Sequence, residues 1–126
     1  IYTGHNLKEF SYNRIQAPGG QYGIYIDNCD NTVSNRGKIY NNFISVGGTG
    51  VARGIYLNGS AFQDILHNSV LVYSTNGTLA NTTPLYLTSN PSLRVLNNAL
   101  KNDGSGYAVY ANSNTSFASS SFFALK

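Results

Sequence analysis

The sequence predicts an all-β solenoid of about five stacked coils, with three short parallel sheets and no sustained helix. Three observations carry this. Each of five units opens with an apolar residue followed directly by tyrosine, at Ile1-Tyr2, Ile24-Tyr25, Ile55-Tyr56, Leu85-Tyr86 and Val109-Tyr110. After each pair comes an apolar residue, then Asn or Ser three positions later and a second apolar residue two beyond that. These second signatures are Phe10/Asn13/Ile15, Ile39/Asn42/Ile44, Ile65/Asn68/Val70, Val95/Asn98/Leu100 and Phe117/Ser120/Phe122. The spacing within a unit is fixed, whereas successive second signatures lie 29, 26, 30 and 22 residues apart. Fixed units with variable separations mark coils joined by surface loops of different length.

Each unit divides into three extended segments. In the first, Ile24-Tyr25-Ile26, Ile55-Tyr56-Leu57, Leu85-Tyr86-Leu87 and Val109-Tyr110-Ala111 alternate, so the outer two residues face inward and Tyr faces outward. The second segment opens inward with Phe10, Ile39, Ile65, Val95 or Phe117, and the third with Ile15, Ile44, Val70, Leu100 or Phe122. Returns to the next coil are placed at Pro18-Gly19-Gly20, Gly47 to Gly50, Asn76 to Pro84 and Asp103 to Gly106, where Gly and Pro collect.

The Asn between the second and third segments tolerates the left-handed backbone of a sharp bend, and its amide both donates and accepts. Coils stacked about 4.8 Å apart bring successive amides into range. Asn13, Asn42, Asn68 and Asn98 are expected to form a ladder with Ser120 as a weaker fifth rung. One position before each second-segment apolar residue stand Glu9, Lys38, Asp64, Arg94 and Ser116, an alternation of charge that suits neighbours on adjacent coils.

Composition agrees with this reading. The chain has 126 residues, is 41% hydrophobic and only 10% charged, so it is too apolar for a disordered segment and is read as a single domain, 1–126. Its polarity is mostly amide and hydroxyl. The net charge of +3 comes without any Lys/Arg block, which gives no reason to expect a nucleic-acid partner. No apolar run is long enough to insert in a membrane, and Cys29 stands alone, which leaves no intrachain disulfide. Because Ile1-Tyr2 begins inside a repeat and no capping element is evident, the expectation is a fragment of a longer solenoid whose open ends could self-associate end to end.

The apolar-x-x-Asn-x-apolar units, above all Ile39-Tyr-Asn-Asn-Phe-Ile44 and Val95-Leu-Asn-Asn-Ala-Leu100, resemble those of right-handed parallel β-helix proteins. That superfamily fold is shared by pectate lyases, polygalacturonases and many bacterial surface proteins. Gly104 to Ala111, followed by Asn-Ser-Asn-Thr-Ser, is more narrowly similar to β-helix repeats of large bacterial extracellular proteins exported by the type IX pathway. The resemblance implies a secreted or cell-surface bacterial location.

It does not bring catalytic residues with it. Glycoside hydrolysis needs carboxylates facing one bond, and the acids are Glu9, Asp27, Asp30, Asp64 and Asp103. Glu9 and Asp64 belong to the charge row. Asp27 and Asp30, in an Asn-rich stretch, suit a turn, a weak calcium site or half an active site, with turn chemistry preferred. The acidic pairs and His-Gly motif of polygalacturonases are absent, as is the arginine and calcium-carboxylate constellation of pectate lyases. His67 occupies the position of Asn41 and Asn97 in flanking coils and reads as a polar turn residue, and His5 has no nearby acid except Glu9 to orient it. One Cys and two separated His give no metal or cofactor signature.

The outward tyrosines Tyr25, Tyr56, Tyr86 and Tyr110 are the candidate contact residues. Aromatic rings can stack on sugars, yet the same column would also arise as a purely structural ladder whose rings pack on one another. The expected function is a noncatalytic structural or adhesive repeat segment contacting polysaccharide or a cell-surface glycan. The alternative is a fragment of a β-helical polysaccharide lyase or glycoside hydrolase with its catalytic coils elsewhere.

Overall fold

The computed structural model describes residues 1–3 and 9–125, with the side chains of Tyr2 and of residues 122–125 left out. His5 therefore lies outside the described residues, as does the direction of the Phe122 side chain. The chain forms a parallel β-solenoid of about four turns, slightly fewer than the repeats suggested. Its strands are β1 (Tyr2–Thr3), β2 (Glu9–Ser11), β3 (Arg14–Pro18), β4 (Tyr22–Asp27), β5 (Gly37–Tyr40), β6 (Phe43–Gly48), β7 (Ala52–Asn58), β8 (Gln63–Leu66), β9 (Ser69–Ser74), β10 (Thr82–Thr88), β11 (Leu93–Asn102), β12 (Val109–Ala111) and β13 (Phe117–Leu125).

First segments pair in the order β1-β4-β7-β10-β12. Second segments stack as β2-β5-β8-β11 and third segments as β3-β6-β9-β11, but these two stacks share one hydrogen-bonded sheet of eight strands. The three expected sheets thus become two. The reason lies in β11, which runs unbroken from Leu93 to Asn102 through the corner that splits the earlier coils.

The apolar register follows the repeat. Ile24, Ile55, Leu85 and Val109 align, as do Phe10, Ile39, Ile65 and Val95, and Ile15, Ile44, Val70 and Leu100. Most of these side chains, with Ile26, Val46, Leu57, Val72, Leu87 and Leu93, form one continuous core. Each fully buried Leu, Ile or Val stabilises the fold by about 1.5–3 kcal/mol relative to exposure.

The two terminal units depart from the repeat. Tyr2 pairs with Ile26, one residue out of step with the register of the later units. Phe117 pairs with Leu93 rather than Val95, Ser120 pairs with Val95, and after a bulge Phe122 pairs with Asn98. Ser119, not Ser116, faces Arg94. Ser120 is therefore no fifth rung. A bulge adds residues to one strand only, which a fixed-period alignment cannot follow. The return assigned to Asn76–Pro84 also ends earlier, because the chain passes a single 3-10 turn (Leu79–Asn81) and re-enters a strand at Thr82.

Within β7, Gly54 is enclosed. A Cβ there would collide with Val70 Cγ1 and the Pro84 carbonyl oxygen. Only a residue without a side chain lets β9 and β10 approach β7 this closely here.

Candidate functional site: the tyrosine face

The outer face of β4, β7, β10 and β12 carries the candidate residues. Strand alternation turns Tyr25, Tyr56, Tyr86 and Tyr110 to the same side, and parallel pairing sets them opposite one another. Tyr25 and Tyr56 stack at 4.6 Å and 11°, Tyr86 and Tyr110 at 4.5 Å and 14°, whereas Tyr56 meets Tyr86 edge-on at 5.0 Å and 90°. The column is thus two stacked pairs with a break between them. Stacked rings cover their faces with one another and leave edges outward, so the row offers phenol hydroxyls more than open aromatic planes.

Two further columns flank it, and neither emerged from the repeat alignment. On one side are Tyr22, Arg53 and Thr83, in register three residues before the column tyrosines. The Arg53 guanidinium lies 3.8 Å from the Tyr86 ring centre, 5.1 Å from that of Tyr56 and 6.0 Å from that of Tyr22. It fills the break between the stacked pairs as a cation over π faces. On the other side Asn58 Nδ2 donates to Asp27 Oδ1 at 2.8 Å, and Thr88 Oγ1 donates to Asn58 Oδ1 at 2.8 Å. The offset of three residues before each Tyr was the available signal for the first column. Its mixed chemistry hid it.

Burial, with the Asp27 carboxylate beside it, raises the Tyr25 phenol above its ordinary value. Burial likewise raises Tyr86, against the opposing pull of Arg53. Both phenols therefore stay protonated at neutral pH and act as donors and acceptors.

The predicted asparagines come together elsewhere, inside the corner between second and third segments. Asn13 Nδ2 donates to Asn42 Oδ1 at 3.0 Å, Asn42 Nδ2 to Asn68 Oδ1 at 2.9 Å, and Asn68 Nδ2 to Asn98 Oδ1 at 2.9 Å. The left-handed bend belongs not to these residues but to those just before them, Tyr12, Asn41, His67 and Asn97, with φ of 57°, 53°, 54° and 57°. The exposed residue takes the unusual backbone while the Asn turns inward. His67 is accordingly a turn residue. A second, unforeseen set of rungs joins the next corner, where Cys29 N–H donates to Ser60 Oγ at 3.1 Å and Ser60 N–H to Asn90 Oδ1 at 2.9 Å.

The charge row is observed from Glu9 through Lys38 and Asp64 to Arg94. Asp64 is fully buried, and Arg36 and Arg94 both donate to it, Arg94 Nε at 2.8 Å from Oδ1. Burial pushes this carboxyl up, but the two guanidiniums outweigh burial and hold it below the ordinary aspartate value. The remaining acids are also engaged. Glu9 accepts from Ser11 and Tyr40, Asp27 from Asn58, Asp30 from the Ala61 N–H, and Asp103 pairs with Lys101 at 2.9 Å. Asp27 and Asp30 each reach the following coil separately, which is the turn reading of that stretch. Among the described residues no three His, Cys, Asp or Glu side chains converge as metal ligands.

Compared with protein-family models, curated proteins and solved structures, the chain finds no match in any of the three.

Proposed function

We propose that this chain is a noncatalytic structural and adhesive segment of a secreted or cell-surface bacterial protein, and that its tyrosine face contacts polysaccharide. The observation that carries the reading is the rigid row of phenol edges between an arginine and an amide-hydroxyl ladder. Such a row repeats donors and acceptors at the coil spacing along one flat sheet, which suits an extended, hydroxyl-rich chain. The employment of all five acids as acceptors in coil-joining or local bonds favours scaffold over catalyst. The location and the kinship with right-handed parallel β-helix surface repeats rest on the apolar-x-x-Asn-x-apolar units and on Gly104 to Ala111.

A glycan array probed with the wild-type chain and with a Tyr25→Ala/Tyr56→Ala/Tyr86→Ala variant tests the contact surface. Binding that falls about tenfold or more, the equivalent of 1.4 kcal/mol, is expected. Binding equal in both proteins removes the tyrosine face. Turnover of pectins, alginates or other polysaccharides that disappears on replacing one of the acids would refute the noncatalytic assignment.

A further inference from the structure

The chain holds two Asn-Gly dipeptides, Asn58-Gly59 and Asn76-Gly77. Such a pair is prone to attack of the glycine nitrogen on the side-chain amide carbon, because glycine carries no Cβ to hinder the approach. The structure treats the two pairs in opposite ways. Asn58 ends β7 and its amide is held at both atoms, since Nδ2 donates to Asp27 Oδ1 and Oδ1 accepts from Thr88 Oγ1, each at 2.8 Å. The Gly59 N–H donates to the Thr88 carbonyl at 2.9 Å. Amide and attacking nitrogen are thus tied to neighbouring coils and kept from each other.

Asn76 lies in the return between β9 and the turn Leu79–Asn81, outside any strand. Gly77 is exposed, with open space where a Cβ would stand. Among the described residues, neither its N–H nor the Asn76 Nδ2 has a hydrogen-bond partner. The Thr78 N–H donates to Asn76 Oδ1 at 2.9 Å. This Asx turn folds the side chain back over the peptide that joins Asn76 to Gly77. It leaves Cγ open to the Gly77 nitrogen and draws electron density away from it.

We propose that Asn76-Gly77 is a self-modification site, at which the folded chain converts Asn76 through a cyclic imide to aspartyl and isoaspartyl forms while Asn58-Gly59 stays intact. This does not rest on the tyrosine face as a contact surface. The Gly77 nitrogen loses its proton to hydroxide, and its electron pair forms a bond to Asn76 Cγ. The bond from Cγ to Nδ2 then breaks, and Nδ2 takes a proton from water and leaves as ammonia. The Thr78 N–H, already on Oδ1, stabilises the negative charge that collects on that oxygen. Water opens the imide at either carbonyl. Opening at Cγ gives aspartate, and opening at the main-chain carbonyl gives the isoaspartyl link, which carries the main chain through the former side chain. The balance is water taken up and ammonia released. Each conversion lowers the formal net charge of +3 by one unit.

The test incubates the folded chain in warm, mildly alkaline buffer and follows both sites by peptide mapping with mass spectrometry. Isoaspartyl methyltransferase labelling and an ammonia assay identify the products. Opening the three bonds that hold Asn58 and Gly59 costs about fivefold each in the population able to react, so Asn76 should convert about a hundredfold faster than Asn58. In guanidinium, where both pairs are free, the two rates should be similar. Gly77→Ala should suppress conversion at Asn76. Asp27→Ala/Thr88→Val, which releases both atoms of the Asn58 amide, should raise the Asn58 rate, with circular dichroism as the folding control.

Equal rates at the two sites of the folded chain overturn the proposal. So does an Asn76 rate in the folded chain far below its rate in guanidinium, because the return then shields the site. Conversion that releases no ammonia, or that Gly77→Ala leaves unchanged, overturns the imide route.

Discussion

Replacing Asn68 with alanine cuts the asparagine stack at its centre, and the cost can be worked bond by bond. The side chain donates to Asn98 Oδ1 at 2.9 Å and to the Ile39 carbonyl at 3.0 Å, and accepts from the Asn42 amide at 2.9 Å and the Asn42 N–H at 3.1 Å. Asn42 Nδ2 keeps the Phe10 carbonyl and Asn98 Oδ1 keeps the Asn68 N–H, so neither is orphaned. The Asn42 N–H loses the side-chain acceptor that holds it. Four buried bonds at about 1 kcal/mol each give about 4 kcal/mol of destabilisation as a lower bound, to which the stranded donor adds. For a chain of this size that lowers the melting midpoint by about 12–20 °C. Thermal and urea unfolding followed by circular dichroism measure it, with the exposed Ser69→Ala expected within about 0.5 kcal/mol of wild type. In the double variant Asn68→Ala/Asn98→Ala the losses should fall short of additivity by about 1 kcal/mol, because the two share a bond. A loss under 1 kcal/mol, or strict additivity, would refute the ladder as a source of stability.

Asp64→Asn removes the acceptor between two arginines and should cost about 3 kcal/mol near neutral pH. Because the folded aspartate titrates below its ordinary value, its contribution is complete above about pH 4 and fades as pH falls through the folded value. The variant should therefore lose the wild type's decline in that acid range, and parallel stability curves for the two proteins would contradict the assignment. Raised phenol values at Tyr25 and Tyr86 place their contribution below about pH 10, with loss as pH rises further. Absorbance titration of Tyr25→Phe and Tyr86→Phe should delete late-ionising tyrosines, and deletion of early ones would count against the described burial. Gly54→Ala meets Val70 and the Pro84 carbonyl and should destabilise by about 3 kcal/mol, whereas Gly50→Ala, with open space around it, should be close to neutral. Equal melting midpoints for the two glycine variants would rule out the tight packing around Gly54.

The solenoid, its three apolar columns, the four-rung asparagine stack and the charge row were all legible because each depends on a residue type recurring at a fixed offset. Tyr25, Tyr56, Tyr86 and Tyr110 were readable for the same reason. Tyr2 and Ser120 share the local motif but not the register, since pairing at the two terminal units is set by neighbouring strands and by a bulge that local sequence does not record. The left-handed residues Tyr12, Asn41, His67 and Asn97 share a conformation without sharing a side chain, so the bend was assigned to the more uniform Asn beside them. Arg53 escaped notice because its column is Tyr, Arg and Thr, three residues joined only by the geometry of stacking. The corner bonds of Cys29, Ser60 and Asn90 were hidden likewise, with a backbone donor and unlike side-chain acceptors making each rung.

The most direct measurement is amide and side-chain chemical-shift mapping by nuclear magnetic resonance during titration with a glycan that the array selects. The account predicts shifts concentrated on Tyr25, Tyr56, Tyr86 and Tyr110 and their strand neighbours, with the buried Asn42, Asn68 and Asn98 amides unmoved. Shifts that map to the outer faces of β5, β8 and β9, with the tyrosines silent, would contradict it.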